Sequence, residues 1–299
     1  MKKTGFIAIV GRPNVGKSTL MNSILGEKVA IVSSKPQTTR NRIIGIHTEG
    51  ENQFVFLDTP GIHTPKNKLG DYMVGAANSS MRDADVIVLV AEAGKPVGTV
   101  EENIIQRIKS SGLPSVIAIN KTDLVSAEAV AETIKAYAAL HNFDVFVPMS
   151  AKKNKGTKII LDECEKYLAE TDAWFFPADI ATDQPERQLA AEIIREKLLK
   201  TLDKEVPHGT AVVIEEFKDE GKLLRIRAEI FCEKASHKGI IVGKNGEALK
   251  LVGTYAREDL ERILGTKVYL NLWVKVKENW RDSVAAISNF GYSRDEDSQ

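Results

Sequence analysis

The chain has 299 residues, enough for about two domains, and its 43% hydrophobic and 27% charged residues exclude wholesale disorder. Its 41 basic and 41 acidic residues cancel, so the net charge does not indicate a nucleic-acid-binding protein. The two cysteines, Cys164 and Cys232, exclude a disulfide framework and favour a reducing compartment. Because no apolar run reaches the roughly 18 residues of a membrane span, we expect a cytoplasmic protein.

Residues 1–170 alternate short apolar strands with helical segments, which is typical of an α/β domain with a mostly parallel sheet. The predicted strands are Phe6–Val10, Arg42–Thr48, Gln53–Leu57, Val86–Ala91, Ser115–Ile119 and Val145–Pro148. The predicted helices are Ser18–Leu25, Leu69–Met81, Glu101–Lys109, Ala127–Leu140 and Lys158–Leu168. A loop of hairpin length, residues 49–52, joins the second and third strands, so we expect this edge pair to be antiparallel.

Residues 171–186 carry two prolines and three adjacent aromatic residues without clear periodicity, which predicts a linker that packs on a surface. Residues 187–299 then follow a different order of elements and end in a tail. This order is a helix at Gln188–Leu202, strands at Ala211–Phe217 and Leu224–Phe231, a short helix, a glycine-rich turn, a helix at Ala248–Leu264 and a strand at Lys267–Lys277. The resulting αββααβ order predicts a second, smaller α+β domain.

The first predicted strand runs directly into Gly11–Ser18, which read Gly-Arg-Pro-Asn-Val-Gly-Lys-Ser, and a predicted helix follows. Glycines let such a loop curl until successive N–H groups point at phosphate oxygens, and the helix adds its positive N-terminal end. Lys17 can reach the β- and γ-phosphates of a nucleotide, and the Ser18 hydroxyl can ligate Mg²⁺. The predicted phosphate-binding residues are Gly11, Arg12, Pro13, Asn14, Val15, Gly16, Lys17, Ser18 and Thr19.

A second motif, Asp-Thr-Pro-Gly at Asp58–Gly61, follows the third predicted strand. A carboxylate at a strand end can hold Mg²⁺ through water, and the Gly61 N–H can sense a γ-phosphate. By itself this pattern is also an ordinary turn, and its position behind a phosphate-binding loop favours the functional interpretation. The predicted contacts at this motif are Asp58, Thr59, Pro60, Gly61 and Ile62.

A third motif, Asn-Lys-Thr-Asp at Asn120–Asp123, follows the fifth predicted strand. The Asp123 carboxylate can accept hydrogen bonds from both N1–H and the exocyclic amine of guanine, a pair of donors that adenine lacks. Ser150–Lys152 follow the sixth predicted strand and fit a loop that closes over the base. The predicted base-binding residues are Asn120, Lys121, Thr122, Asp123, Ser150, Ala151 and Lys152.

In order and spacing these motifs resemble those of the Ras-like GTPase superfamily. The resemblance implies GTP and GDP as ligands, Mg²⁺ as cofactor, and hydrolysis that uses Lys17, Gly61 and a threonine in the loop after the first helix. That loop contains Thr38 and Thr39, and we favour Thr39 because Thr-Arg followed shortly by a strand resembles related translational GTPases. The alternative is that both are ordinary loop hydroxyls. The expected Mg²⁺ residues are Ser18, Thr39 and Asp58.

The sequence departs from the Ras-type pattern at Ile62, where Ras-type proteins carry a glutamine that orients the attacking water. We therefore expect slow intrinsic hydrolysis. The adjacent His63 is not an obvious replacement for the glutamine, because a loop histidine is more often solvated than catalytic. Similar GTPases use an asparagine at the position of Asn14 to ligate K⁺, which stabilises phosphate charge. The alternative is that Asn14 only hydrogen-bonds its own loop.

A Gly-x-x-Gly turn at Gly243–Gly246 separates two predicted helical segments. With the αββααβ order around it, this turn resembles that of a type II KH domain. The resemblance implies that Gly243, Lys244, Asn245 and Gly246 clamp the backbone of about four single-stranded nucleotides. From Lys222 to Arg281, thirteen Lys and Arg stand against seven Asp and Glu. This excess of six supports phosphate binding, and a solvated basic face would give the same count.

The last predicted strand alternates two sets of side chains. One set looks like core: Leu270, Leu272, Val274 and Val276. The other set is either a face that stacks on bases and contacts phosphates or a solvated face with amphipathic aromatics: Tyr269, Asn271, Trp273, Lys275 and Lys277.

A Ras-like domain followed by a type II KH domain resembles a family of bacterial ribosome-assembly GTPases over about residues 4–292. The resemblance implies a GTP-switched protein of small-subunit assembly, with single-stranded rRNA of that subunit, near its 3′ end, and the subunit itself as partners. It also implies peripheral contact with the inner face of the cell membrane, which no residue here indicates, and we expect a monomer. Two alternatives remain: a GTPase coupled to RNA modification, and a signalling or membrane-linked switch whose basic domain binds lipid or protein.

Overall fold

The computed structural model describes residues 1–203 and 205–292, so the predicted tail at 293–299 lies outside the described residues. The contacts divide the chain into two compact units. The first contains residues 1–30, 39–65 and 70–183, and the second contains residues 31–38, 66–69 and the chain from Gln184 onward.

The chain up to Thr171 alternates strands and helices as predicted. Its strands are β1 (Lys2–Val10), β2 (Ile43–Glu49), β3 (Asn52–Asp58), β4 (Val86–Glu92), β5 (Ser115–Asn120), β6 (Val145–Pro148) and β7 (Ala169–Thr171). Its α-helices are α1 (Lys17–Leu25), α2 (Lys68–Arg82), α3 (Thr99–Ser111), α4 (Ala127–Ala138) and α5 (Thr157–Glu165).

The first unit contains a seven-stranded sheet in the order β2-β3-β1-β4-β5-β6, with β7 also beside β1. The predicted antiparallel edge pair is present between β2 and β3. The neighbouring strands β3, β1, β4, β5 and β6 run parallel to one another. Apolar side chains from both faces of β1, β4 and β5 are buried, as expected for a parallel sheet covered by helices on both sides. The carboxyl ends of β1, β3 and β5 lead into the three nucleotide motifs.

The segment at 171–186, predicted to be a linker that packs on a surface, belongs to the first unit as far as residue 183. Helix α5 ends at Glu165 rather than Leu168, and β7 then pairs antiparallel with β1. The buried Gln53 side chain accepts a hydrogen bond from the Phe176 N–H at 3.0 Å and donates to the Phe176 carbonyl at 2.8 Å. These bonds satisfy the backbone groups of Phe176 and hold the segment against β3.

The second unit has the predicted αββααβ order, followed in the described part of the chain by a short α-helix that the sequence pattern does not indicate. Its elements are α6 (Glu186–Thr201), β8 (Ala211–Asp219), β9 (Leu223–Cys232), α7 (Ala235–Val242), α8 (Glu247–Leu264), β10 (Lys267–Val276) and α9 (Val284–Asn289). The sheet order is β10-β9-β8, with β10 parallel to β9 and β8 antiparallel to it. Apolar side chains of α6, α7, α8 and the sheet form one core, which includes Cys232.

Among the described residues, no helix combines the length and the apolar character that crossing a membrane requires.

Candidate functional site

The loop between β1 and α1 has a backbone that requires glycine at two positions. Gly11 has φ +150° and Gly16 has φ +106°, and both values are unfavourable for residues with a Cβ. A Cβ on Gly16 would lie 2.3 Å from Asn120 Nδ2, and one on Gly11 would lie 2.5 Å from the Val90 carbonyl oxygen. Asn14, at the exposed part of the loop, also has a left-handed backbone with φ 65°. The loop is therefore curled and closely packed, as phosphate binding through N–H groups requires.

Lys17, the first residue of α1, is buried beneath this loop. Its Nζ donates to the carbonyl oxygens of Gly11 at 3.1 Å and Arg12 at 3.0 Å. Burial lowers the pKa of Lys17 to about 8, and the nearby charge of Asp58 acts in the opposite direction. The ammonium group is thus held against the phosphate loop by two main-chain carbonyls.

Three oxygen-bearing side chains from different parts of the chain meet beside Lys17. Ser18 Oγ donates to Asp58 Oδ2 at 2.6 Å and lies 2.9 Å from Thr39 Oγ1. Thr39 Oγ1 lies 3.4 Å from the same Asp58 oxygen. Of the two candidate threonines, only Thr39 reaches this cluster, because the Thr38 hydroxyl donates to the Lys35 carbonyl at 2.6 Å.

The second oxygen of Asp58 makes this cluster suitable for a hydrated cation. Asp58 Oδ1 is buried and has no hydrogen-bond partner among the described residues. Burial raises the pKa of Asp58 to about 6, and the contacts with Lys17, Ser18 and Thr39 act to lower it. Two hydroxyls and a carboxylate with an unpaired acceptor fit the oxygen coordination that Mg²⁺ prefers, including coordination through water.

The Asp58–Gly61 motif packs directly on the phosphate loop. A Cβ on Gly61 would lie 2.7 Å from the backbone of Pro13, so only glycine permits this approach. The buried Thr59 anchors the motif, since its Oγ1 donates to the Ile9 carbonyl at 2.8 Å. The Ile62 N–H donates to the Gly11 carbonyl at 3.2 Å. The Ile62 side chain is a buried hydrocarbon and has no polar group to orient a water.

The predicted base-binding loops are joined by Asn120. Its Nδ2 donates to the Val15 carbonyl at 2.8 Å, and its Oδ1 accepts from the Ala151 N–H at 2.9 Å. Thr122 Oγ1 donates to the Met149 carbonyl at 2.9 Å, which ties the motif to the end of β6. Asn120 therefore holds the phosphate loop and the loop at 150–152 together.

Asp123 lies at the exposed end of this arrangement. Ser150 Oγ donates to Asp123 Oδ1 at 2.6 Å. This hydrogen bond is the largest cause of the lowered pKa of Asp123, so the carboxylate remains ionised at neutral pH. An ionised carboxylate only accepts hydrogen bonds, which suits the two donors on the edge of guanine. Lys152, on the adjacent loop, is exposed.

Two acidic residues that hold predicted site residues are not marked by any sequence motif. Glu101 pairs with Arg12 at 3.0 Å, and Glu92 pairs with Lys121 at 2.8 Å. The Arg12 guanidinium is therefore engaged in an ion pair within the protein. No local pattern indicates these acids, because each partner lies on a different element.

The Gly-x-x-Gly turn joins α7 to α8 and exposes its two middle residues, Lys244 and Asn245. Gly243 has φ 73° and ψ 177°, and a Cβ there would lie 2.7 Å from the Ala248 Cβ. Gly246 has φ 81°, and a Cβ there would have no atom within 4 Å. Gly243 is therefore needed for the turn itself, whereas the space beside Gly246 is open.

Aromatic and basic side chains lie on the exposed side of β10 in the same unit. Trp273 is 59% exposed and Tyr269 is 48% exposed. The Arg225 guanidinium lies 4.9 Å from the centre of the Tyr269 ring. Base stacking on this face stays a prediction, and the exposed aromatic rings are compatible with it.

Comparisons with known protein families agree with the two units. A family model described as 50S ribosome-binding GTPase matches residues 6–121, and one described as KH domain matches residues 205–281. The chain is 49% identical to GTPase Era of Ruminiclostridium cellulolyticum over 291 residues, covering 97% of each chain. It is also 49% identical to GTPase Era of Clostridioides difficile over 296 residues, covering 98% of this chain and 99% of that protein.

Two solved structures resemble the whole chain. A variant of Aquifex aeolicus Era bound to GDP and aluminium fluoride matches with a TM-score of 0.94 and 42% identity. A structure of Era in complex with MgGDPNP and nucleotides 1506–1542 of 16S ribosomal RNA matches with a TM-score of 0.93 and 41% identity. Each covers 98% of this chain and is itself covered completely. Motif geometry, domain order and full-length similarity agree: the chain belongs to the Era family of GTPases, which hydrolyse GTP and carry a C-terminal KH domain.

Proposed function

We propose that this protein is a GTP-dependent factor in assembly of the small ribosomal subunit, whose KH domain holds single-stranded 16S rRNA near its 3′ end. One observation carries the proposal: the chain resembles, over 98% of its length, an Era protein crystallised with MgGDPNP and a 16S rRNA fragment. The exposed Gly-x-x-Gly turn and the guanine motifs support both halves of it. The family model that names the 50S subunit covers only the nucleotide-binding part of the chain.

In this proposal the chain's own groups bind and orient the triphosphate. The N–H groups of the loop from Gly11 to Gly16 surround the phosphates, and Lys17 exchanges its two carbonyl partners for β- and γ-phosphate oxygens. Ser18, Thr39 and Asp58 hold Mg²⁺, which neutralises charge on the β- and γ-phosphates when it is bound.

Recognition and hydrolysis use the remaining motifs. Asp123 selects guanine, and Ser150 and Asn120 hold its loop in place. The Gly61 N–H senses the γ-phosphate, and the buried Ile62 leaves no side chain in the position that usually orients water. We therefore propose slow hydrolysis in the isolated protein, with nucleotide-dependent binding to RNA as its output.

The RNA-binding role is tested most cleanly at Gly246. In Gly246→Asp we expect single-stranded RNA to bind at least about tenfold more weakly, because the carboxylate repels the phosphate that must approach the turn. For each phosphate that the variant no longer binds, the log–log salt dependence should flatten by roughly 0.7. Aspartate tolerates the left-handed backbone at this position, and apart from the adjacent residues no described atom lies within 4 Å of the added Cβ. Fluorescence titration with a short 16S rRNA 3′-end oligonucleotide measures both quantities.

Gly265→Asp is the matched control for this experiment. Gly265 directly follows α8, as Gly246 directly precedes it; Gly265 has φ 67°, and a Cβ there would also meet open space. It receives the same charge outside the proposed clamp and should keep full RNA affinity. Equally weakened binding in the two variants would overturn the clamp, and GTP affinity should not change in either.

The alternative functions differ in what the second domain binds. We expect the GTP-bound protein to co-sediment with 30S subunits rather than with 50S subunits. Preferential sedimentation with 50S subunits would contradict the proposal. Binding to anionic vesicles but not to RNA would favour the membrane-linked switch.

The protein is expected to be a monomer, and sedimentation equilibrium measures its oligomeric state.

The role of Asn14 gives a separate prediction about monovalent cations. Replacing Na⁺ by K⁺ is expected to raise GTP turnover at least about tenfold, because positive charge beside the transferring phosphate is worth roughly 10³–10⁵ when an arginine supplies it. Asn14→Ala should abolish this response while leaving the rate in Na⁺ nearly unchanged. Single-turnover hydrolysis in the two salts measures it. Equal rates in Na⁺ and K⁺ would remove K⁺ from the mechanism and leave the GTPase activity unaffected.

A further inference from the structure

The segment that leads to Thr39 is anchored on helix α6. Residues 31–38 belong to the second unit by their contacts, although they come before Thr39 in the chain. Arg195 Nη1 donates to the Gln37 carbonyl at 3.4 Å, and Arg195 Nη2 donates to the Thr38 carbonyl. Two consecutive carbonyls, ending one peptide bond before Thr39, are therefore held by one guanidinium group.

Arg195 is itself held rigidly. Its side chain is fully buried, and Glu192, one turn earlier on α6, accepts from Arg195 Nε at 2.9 Å and also from Nη2. A buried guanidinium is stable only when its charge is paired and its N–H groups have partners. Here the main-chain carbonyls of residues 37 and 38 supply part of that requirement. If Arg195 moved away from these carbonyls, its buried guanidinium would lose hydrogen-bond partners that offset the cost of burying its charge.

A second anchor connects the same segment to α8. Glu196 Oε1 accepts from the Val32 N–H at 3.0 Å, and Glu196 Oε2 accepts from Lys197 Nζ at 2.9 Å. Lys197 also pairs with Asp259 of α8, the helix that begins directly after Gly246. The contacts thus run from the helix behind the Gly-x-x-Gly turn, through α6, to the segment that ends at Thr38.

We propose that Arg195 is a positioning residue for GTP binding and hydrolysis, which acts by holding the carbonyls of Gln37 and Thr38 and thereby setting where Thr39 Oγ1 stands. The inference rests on the proposed role of Thr39 as a Mg²⁺ ligand. Among the described residues, the hydrogen bonds of Arg195 go to Glu192 and to these two carbonyls, not to the loop at Gly11–Gly16 or the motif at Asp58. We therefore expect its effect on nucleotide binding in the state in which Thr39 is used.

The first test is Arg195→Lys. Lysine keeps the charge that pairs with Glu192 but lacks the planar fork that reaches two carbonyls at once. We expect the variant to bind a non-hydrolysable GTP analogue about tenfold more weakly in Mg²⁺, with GDP affinity unchanged, a coupling of ordinary allosteric size. The Mg²⁺ concentration for half-maximal hydrolysis should rise as well. A general loss of stability would weaken GDP and the GTP analogue together.

Arg187→Lys is the matched control. Arg187 lies on the same helix, and its guanidinium also donates to a main-chain carbonyl, that of Ile214 in β8, away from the segment at 31–38. The control should keep the ratio of GTP-analogue to GDP affinity of the parent protein. If Arg195→Lys matches Arg187→Lys in this ratio while Thr39→Ala lowers it, the inference is overturned and the role of Thr39 stands.

A double-mutant cycle decides whether Arg195 acts through Thr39. The loss of GTP-analogue affinity in Arg195→Lys should disappear when Thr39 is already alanine, because the positioned hydroxyl is then gone. Additive losses would contradict the inference. An unchanged ratio in Thr39→Ala alone would instead overturn the proposed role of Thr39. If thermal unfolding shows that Arg195→Lys is destabilised, Glu192→Gln offers a second test. It removes the charge that pairs with the Arg195 guanidinium and should also lower the ratio of GTP-analogue to GDP affinity.

Discussion

Replacing Lys17 by alanine is expected to reduce single-turnover GTP hydrolysis by at least about 10²–10³-fold, the loss typical of removing one preorganised donor from developing charge. Lys17 lies buried under the phosphate loop, where burial lowers its pKa to about 8. It therefore remains largely protonated at neutral pH and its ammonium faces little competing water. Binding of GTP-analogue and GDP should weaken as well, since both carry the β-phosphate that Lys17 reaches.

Lys158→Ala is the control for this prediction. Lys158 is an exposed lysine of α5 that pairs with Glu49, so its loss removes one positive charge without touching the nucleotide motifs. Its hydrolysis rate should equal that of the parent. Thermal unfolding of both variants separates a chemical effect from misfolding. Turnover by Lys17→Ala within a few-fold of the parent would contradict the assigned role of the loop.

Replacing Asp123 by asparagine is expected to change the base that the protein accepts. Affinity for GTP should fall roughly 10²–10⁴-fold, because two charge-assisted hydrogen bonds of about 1.5–3 kcal/mol each are removed. Ser150 Oγ donates to Asp123 Oδ1, and it can donate in the same way to the asparagine oxygen. The new amide NH₂ is then available to the extra carbonyl of xanthine, so binding of xanthosine triphosphate should rise.

Competition against a fluorescent guanine nucleotide measures both affinities, and Asp179→Asn serves as a control of equal charge change at an exposed position outside the three motifs. Parent protein that binds ATP as tightly as GTP would contradict guanine selection. A variant that loses GTP without gaining xanthosine triphosphate would show that Asp123 supports the loop rather than reading the base.

Much of the nucleotide site can be predicted from the sequence because each motif is contiguous. The loop at Gly11–Gly16, the motif at Asp58–Gly61 and the motif at Asn120–Asp123 each end a strand, and parallel strands bring their carboxyl ends to one edge of the sheet. The turn at Gly243–Gly246 is also contiguous in the sequence, and both of its glycines have positive φ. Local order and backbone chemistry are sufficient for these predictions.

The segment after β6 shows where periodicity fails. The sequence pattern predicts that the linker at 171–186 packs on a surface but does not identify that surface. Gln53 bonds both backbone groups of Phe176, and β7 pairs with β1. A three-residue strand is too short to show alternation, and a buried glutamine gives no sign of its partner. Both features depend on residues more than a hundred positions away in the chain.

Neighbouring residues suffice to predict most of the order of elements, though not β7 or α9. They also suffice for the character of the two domains and for the residue types at the phosphate, base and Gly-x-x-Gly loops. The fold places Thr39, which the sequence only favours over Thr38, beside Ser18 and Asp58, and the Thr38 hydroxyl donates to the Lys35 carbonyl instead. It also buries Arg195 fully, a charged residue of α6 whose burial the helical pattern does not predict. Burying such a charge is possible only when distant groups compensate it, and those partners are chosen by the fold rather than by adjacent residues.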